Sequence, residues 1–177
     1  QEPVMLPPGD YQVESLILEA TCPDGSIGKY TFTRMGTAPP KQIRSPEAVY
    51  DLIGEMSVNV SCSSTPARGE KLYVRMLPRT ATSLDLNSAT NSCDPLKTTC
   101  ASCGTGTIPA VLTLIGPDGN EVGKADPMQS SCCGYMGSGW VTIPPDAPAG
   151  TYTLRVSFNA AGLGQTAVGE RAFELGE

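Results

Sequence analysis

Cysteine is the residue type whose number and spacing allow the most chemistry in this chain. Seven cysteines occur among the 177 residues: Cys22, Cys62, Cys93, Cys100, Cys103, Cys132 and Cys133. This density is typical of exported proteins, whose thiols pair as disulfides in an oxidising compartment. We expect Cys22 to pair with Cys62, because each ends a predicted strand, and the other five to staple two loops together. One thiol is left over, either buried and free or bridged to a neighbouring copy.

The spacing Cys100-Ala-Ser-Cys103 also suits a metal ion. Two cysteines three positions apart form half of a four-thiolate zinc site, and Cys132 or Cys133 could complete it. Disulfides are the favoured interpretation, because the cysteine density already indicates export. We therefore expect neither a metal nor a cofactor.

Catalysis has little support in the sequence. Histidine is absent, which removes the commonest general base and the commonest zinc ligand. Carboxylate pairs such as Glu170 and Glu174 are explained by a solvated strand face. Calcium is conceivable at Asp118, Asn120 and Glu121, but turn chemistry explains these residues better. We expect that the protein is not an enzyme.

Binding and modification have a few candidate residues. Trp140 and Tyr135 flank a glycine-rich segment and could stack on a sugar ring, although a lone tryptophan is more often a core or loop anchor. Asn59-Val60-Ser61 is an N-glycosylation sequon, with Asn59 expected to point outward. The net charge of −6, with scattered lysines and arginines, argues against a nucleic-acid surface.

The elements that must position these residues are short strands. The 19 glycines and 16 prolines punctuate the chain too often for a helical bundle, and every apolar run is too short to span a membrane. One short helix is predicted from the N-cap Ser45 to Gly54. Residues 78–109 and 126–139 are predicted to be cysteine-rich loops. Period-2 alternation predicts strands at 11–22, 29–34, 56–62, 70–77, 110–115, 121–125, 140–143, 150–158 and 168–175.

One stretch resembles a known type of domain. The segment from Ile143 to Val156, IPPDAPAGTYTLRV, and the preceding LTLIGPDGNEVG are similar to the hairpins of secreted bacterial immunoglobulin-like domains, including macroglobulin-type ones. The resemblance covers residues 110–175. It implies an all-β, immunoglobulin-like β-sandwich over residues 11–177 and says almost nothing about function.

Residues 1–10, QEPVMLPPGD, are predicted to form an extended N-terminal arm, because its three prolines cannot donate backbone hydrogen bonds. Val4, Met5 and Leu6 are its only apolar cluster. We expect them to contact either their own domain or the next copy. Strand addition repeated head to tail between copies would give an open filament.

Together, these observations predict a non-catalytic function. We expect a structural subunit of an extracellular fibre or surface assembly that packs through its arm onto copies of itself and has no membrane span. Gln1 in place of methionine leads us to expect a mature, secreted protein, with glycans possible on its surface. The likeness to bacterial pilin-type subunits is one of architecture only. The alternative is a secreted carbohydrate- or protein-binding module.

Overall fold

Strands make up nearly all the regular structure of this chain. The computed structural model describes residues 7, 9–22, 25, 27–34, 42–44, 51–62, 66–90, 108–130, 137–160 and 163–176. These residues include thirteen strands: β1 (Asp10–Gln12), β2 (Ser15–Thr21), β3 (Ile27–Thr33), β4 (Gln42–Arg44), β5 (Ser57–Cys62), β6 (Lys71–Arg79), β7 (Asp85–Thr90), β8 (Ala110–Ile115), β9 (Lys124–Ala125), β10 (Gln129–Ser130), β11 (Gly137–Thr142), β12 (Gly150–Ala160) and β13 (Gln165–Leu175). The prediction of an all-β protein is confirmed.

The strands form one curled, mixed sheet and a separate two-stranded β1–β4 sheet. The main sheet runs in the order β2-β3-β7-β6-β5-β13-β12-β8, and β11 pairs with β6, β9 and β10. Every pairing is antiparallel except β13 with β5, which meet at the single position Val168–Ser57. The contact between β6 and β7 is equally short, because only Arg79 and Asp85 are paired there.

The alternation predicted from the sequence accounts for the core. On β12, Tyr152, Leu154, Val156 and Phe158 are each at most 1 % exposed, while the residues between them face outward. The same period brings the inward residues of β5, β6 and β8 into one apolar cluster with those of β12. The sheet therefore curls around a single core.

A glycine permits the close approach of β5 and β13. A Cβ atom at Gly169 would collide with the backbone carbonyl of Val58. Any other residue would therefore push β13 away from β5 at the one place where they pair. The pairing of β5 with β13 connects the strands from β2 to β5 with β13, β12 and β8, and it depends on this missing side chain.

The predicted helix is wrong over its last residues, and 45–50 lie outside the described part of the chain. Asp51 accepts hydrogen bonds from the backbone N–H groups of Ile53 and Gly54, at 3.1 and 2.8 Å, and so stabilises a bend. The carbonyls of Leu52 and Ile53 accept hydrogen bonds from the distant loop at Ala81 and Thr82 rather than from a helical turn. Tertiary hydrogen bonds have replaced the local ones.

The predicted loop over residues 78–109 is also partly wrong, because β7 lies within it. Four of the six residues of β7, DLNSAT, are Asp, Asn, Ser or Thr, so its sequence carries no alternation of apolar residues. It is a strand because it pairs with β3 over Lys29–Thr33. In the second predicted loop, 126–139, β10 pairs with the beginning of β11.

The predicted pairing of Cys22 with Cys62 is wrong, since Cys62 carries a free thiol. Cys22 directly follows β2, and Cys62 ends β5, so that β3, β7 and β6 lie between their strands. Neighbouring strands are about 4.8 Å apart. The Cα atoms of bridged cysteines must lie within about 7 Å of each other, and no strand pairing brings the ends of β2 and β5 together.

Candidate functional site

Large apolar side chains that remain exposed mark three places on the surface. One place is the β2–β3 edge, the second is the outer face of β8 and β13, and the third is β11. The side chains are Ile17, Ile27, Val111, Val168 and Trp140, which are between 44 and 65 % exposed. Clustered apolar exposure usually indicates a contact surface.

Among the residues that the structure describes, none pairs with the second side of β2. β2 pairs only with β3, and no backbone hydrogen bond reaches its other side from any described residue. Leu18 is buried, but its inner-face neighbours Leu16 and Ala20 stay half-buried. On the outer face Ile17 is 54 % exposed. β2 holds no proline, and Glu19 is its only charged residue, so it carries little of the protection that proteins usually place on an exposed strand.

The opposite end of the sheet is β8, which is open over a shorter length. Its last residues are covered by the turn that follows, where the N–H of Val122 donates to the carbonyl of Leu114 at 2.8 Å. Val111 and Val168 both lie opposite Ser157 of β12, on either side of it. The three residues form a row across the outer face of β8, β12 and β13.

The described residues of the predicted arm lie at the surface of the domain. The Tyr11 hydroxyl donates to the carbonyl of Pro7 at 2.6 Å, and both Pro7 and Gly9 are exposed. Val4, Met5 and Leu6 lie outside the described residues. The hydrogen bond from Tyr11 holds the backbone at Pro7, the residue that directly follows them.

The third place is an aromatic pair on the outer face of β6 and β11. Tyr73 and Trp140 lie directly opposite each other on the paired strands. Their ring centroids are 4.8 Å apart with an interplanar angle of 51°, and Trp140 is 44 % exposed. Cross-strand aromatic pairs of this kind stabilise a sheet, but a half-exposed tryptophan also offers a flat apolar surface to solvent.

Polar groups surround this pair, which we call the Tyr73–Trp140 site. The Arg75 guanidinium carbon lies 5.4 Å from the centroid of the Tyr73 ring. A hydrogen bond from Ser138, with a smaller effect of Arg75, lowers the pKa of the Tyr73 hydroxyl below its usual value. Lys71 Nζ and Asp126 Oδ2 form an ion pair at 3.0 Å. The site thus combines an apolar surface, hydroxyl groups and a cation.

Two glycines determine how β11 lies. Gly137 and Gly139 face inward, where a Cβ atom on Gly139 would lie 2.7 Å from the sulfur of Met128. Because these positions have no side chains, β11 lies close against the core and Trp140 is turned outward. The N–H of Asp126 donates to the carbonyl of Trp140 at 2.8 Å and holds the strand from its other side.

A buried ion pair supports the narrow join between β6 and β7. Arg79 donates to both carboxylate oxygens of Asp85, at 2.6 and 3.2 Å, and the Asp85 side chain is fully buried. These hydrogen bonds raise the pKa of the Arg79 guanidinium. Next to the pair, Thr80 and Thr82 share a hydrogen bond at 2.9 Å. This polar network holds the β2-β3-β7 unit to the rest of the sheet.

The structure brings few of the predicted site residues together. Trp140 is exposed as a stacking residue would be, but its partner is Tyr73, and Tyr135 lies outside the described residues. Asn59 is exposed on β5, as expected for a sequon. Cys22 is buried and Cys62 is half-buried. The cysteines that lie outside the described part are Cys93, Cys100, Cys103, Cys132 and Cys133.

Three of the carboxylates considered as site candidates have structural partners. Asp118 accepts hydrogen bonds from the N–H and the side-chain amide of Asn120, which lower the pKa of its carboxyl, so the turn interpretation is confirmed. Glu170 forms an ion pair with Arg155, and Glu174 accepts from Thr151. Within the described ranges no group of three or more potential metal ligands is present, and no helix is long and apolar enough to cross a membrane.

Sequence reasoning missed Tyr73. The alternation of Leu72, Val74 and Met76 already placed it on the outer face of β6. Its position beside Trp140 depends on the β6–β11 register, which no local pattern carries. Comparison of the chain with protein-family models, curated proteins and solved structures finds no match. Function must therefore be argued from these three surfaces alone.

Proposed function

We propose that this protein is a secreted, non-catalytic structural subunit of an extracellular fibre or surface assembly whose copies join head to tail. The observation that carries the proposal is the open β2 edge. Its inner-face residues Leu16 and Ala20 are half-buried, and Ile17 on the outer face is exposed. An edge with apolar residues on both faces is suited to accept a further strand.

The occupant of that edge is the N-terminal arm of a neighbouring copy. In an extended arm, Val4 and Leu6 point to one face and Met5 to the other. Val4 and Leu6 would complete the cover over Leu16 and Ala20, with Met5 beside the exposed outer face. Support for an arm that leaves its own body comes from the exposed Pro7, whose carbonyl is held by Tyr11.

Three apolar residues do not make a stable interface alone. Burying a valine or leucine side chain contributes about 1.5–3 kcal/mol, and stable contacts usually bury more than about 1,000 Å². The row of Val111 and Val168 on the β8–β13 face offers a second surface for contact between the bodies of two copies. Because the arm and the β2 edge are different surfaces, the contact between copies is heterologous and can repeat without closing.

An immunoglobulin-like sandwich is part of the proposal. The half of the sheet that contains β12 and the half that contains β6 meet at one parallel pair and share one core. The Tyr152 hydroxyl donates to the carbonyl of Pro148, four residues earlier, at 2.9 Å. A tyrosine that bonds back to the backbone in this way occurs at a corner of immunoglobulin-like folds. This hydrogen bond supports the resemblance of residues 143–156.

Disulfide staples remain part of the same proposal, in a changed form. With the Cys62 thiol free, Cys22 and the five loop cysteines supply six sulfur atoms, enough for three bridges. Cys62 is then the odd thiol. It could link neighbouring copies or stay reduced, and assembly through the β2 edge requires neither.

Negative-stain microscopy of the purified full chain tests the proposal. We expect fibres from the wild type and none from Ile17→Lys, since a lysine on an edge strand opposes strand addition. Removal of residues 1–6 should also leave monomers. Thr151→Lys is the matched control, because it places the same charge on an exposed strand residue at the far end of β12 from Val111 and should leave the fibres intact.

Two results would contradict the proposal. One is a wild type that stays monomeric at every concentration, under conditions in which its circular dichroism is that of a folded β protein. The other is an Ile17→Lys variant that forms fibres as readily as Thr151→Lys.

A further inference from the structure

The outer face of β6 carries three cations, and one of them has no acidic partner among the described residues. Lys71 pairs with Asp126, and Arg79 pairs with Asp85. Arg75, which lies between them on the same face, is exposed; its guanidinium lies over the Tyr73 ring, and it is opposite Ser138 of β11 and Ser61 of β5. In a chain with a net charge of −6, a cation without a carboxylate partner is available for an anion from outside.

We propose that Trp140, Tyr73 and Arg75 form a binding site for an acidic sugar, namely a uronate residue of a polysaccharide. This site lies away from the β2 edge and goes beyond the role of a fibre subunit. It would let the assembled protein hold a carbohydrate matrix or cell-surface polysaccharide. If the protein is instead a secreted binding module, this site names the ligand that the module would bind.

The shape of the aromatic pair suits a sugar ring. The rings meet at 51°, with centroids 4.8 Å apart, so Trp140 and Tyr73 form an open corner rather than a closed stack. A pyranose ring has an apolar face of C–H groups and a rim of hydroxyls. The apolar face can pack on the exposed Trp140 ring, while the rim reaches the polar groups around it.

The polar groups at the corner match the rest of such a ligand. The Arg75 guanidinium can bind a carboxylate through two parallel N–H donors. Ser138 and the Tyr73 hydroxyl, already linked to each other, offer partners to sugar hydroxyls. The Lys71–Asp126 ion pair is half-exposed next to Trp140 and offers both a donor and acceptors.

The charge at this site favours a polymer with spaced carboxylates over a nucleic acid as the ligand. A nucleic acid presents one charge per phosphate, and its binding proteins neutralise several phosphates at once. On the described outer face of β6, Arg75 is the single cation without a carboxylate partner. A single carboxylate beside an apolar ring face is the ligand that this arrangement matches.

The test is a binding measurement on the purified full chain, with polygalacturonate, alginate and hyaluronate as probes. Each probe is compared with its carboxyl-reduced form, which keeps the sugar rings and removes the charge. We expect the wild type to prefer at least one acidic polymer over its reduced form. Loss of a charged hydrogen-bonded pair should weaken that binding about tenfold in Arg75→Gln and abolish the preference for the acidic form.

The variant Trp140→Ala should weaken binding to both forms about tenfold, because stacking does not depend on charge. Ile17→Lys is the control and should bind like the wild type, so failure of fibre assembly and failure of sugar binding are told apart. Circular dichroism checks that every variant is folded. The proposal is overturned if no acidic polymer binds or if Arg75→Gln keeps the preference for the acidic form. It is also overturned if Trp140→Ala binds the polymers like the wild type and is impaired only in self-assembly.

Discussion

β12 and β2 are both alternating strands, but they differ in how far their apolar faces are covered. β12 lies between β13 and β8, and its four large inward residues are at most 1 % exposed. Within the described part of the chain β2 has β3 on one side only, and of its inward residues Leu18 alone is fully buried. The same sequence pattern therefore specifies a complete core in one place and an incomplete one in another. The proposed contact with a neighbouring copy rests on this difference.

The largest effect should come from removing matched leucines on these two strands. Leu154→Ala leaves a cavity in a closed core and should lower the free energy of unfolding by about 4 kcal/mol. Leu16→Ala removes a half-buried side chain and should cost the monomer only about 1 kcal/mol. Urea unfolding followed by circular dichroism measures both values. Equal losses would mean that β2 is already covered within its own chain.

A smaller effect should come from the join that holds the β2-β3-β7 unit. Arg79→Met leaves the fully buried Asp85 carboxylate without its partner and should cost about 3 kcal/mol. Arg155→Met removes the same side chain from an ion pair that is about half exposed on both sides, and should cost less than about 1 kcal/mol. Hydrogen exchange should then speed up in β2, β3 and β7 of Arg79→Met before it does in β12 and β13. Uniform acceleration over both regions would show that β2, β3 and β7 are not a separate unit.

Local pattern was enough to predict the elements with strong alternation. β8 lies at the predicted residues 110–115, and β12 contains the predicted 150–158 with two further residues. β7 could not be predicted in this way, because Leu86 is its only large apolar residue and pairing with β3 makes it a strand. Residues 51–54 show the opposite case, since the predicted end of a helix is a bend there and the Leu52 carbonyl accepts a hydrogen bond from the distant Thr82.

The candidate sites were only half predictable for a related reason. Trp140 stood out as the single tryptophan, but Tyr73 became its partner through a register between strands more than sixty residues apart. The open edge at β2 depends on the order of strands in the sheet, which no stretch of sequence encodes by itself. The expected Cys22–Cys62 bridge was wrong for the same reason. Sequence patterns predict which face of a strand is apolar, whereas strand order decides which residues meet.

The most direct test of the account is to identify what the arm contacts in the assembled state. A photoreactive residue is placed at Met5, and fibres are grown from an equal mixture of normal and heavy-isotope-labelled chains. The account predicts crosslinks from position 5 to peptides containing residues 15–21, with half of them joining a normal to a labelled chain. Crosslinks found only within one isotopic form would place the arm on its own domain and contradict the account.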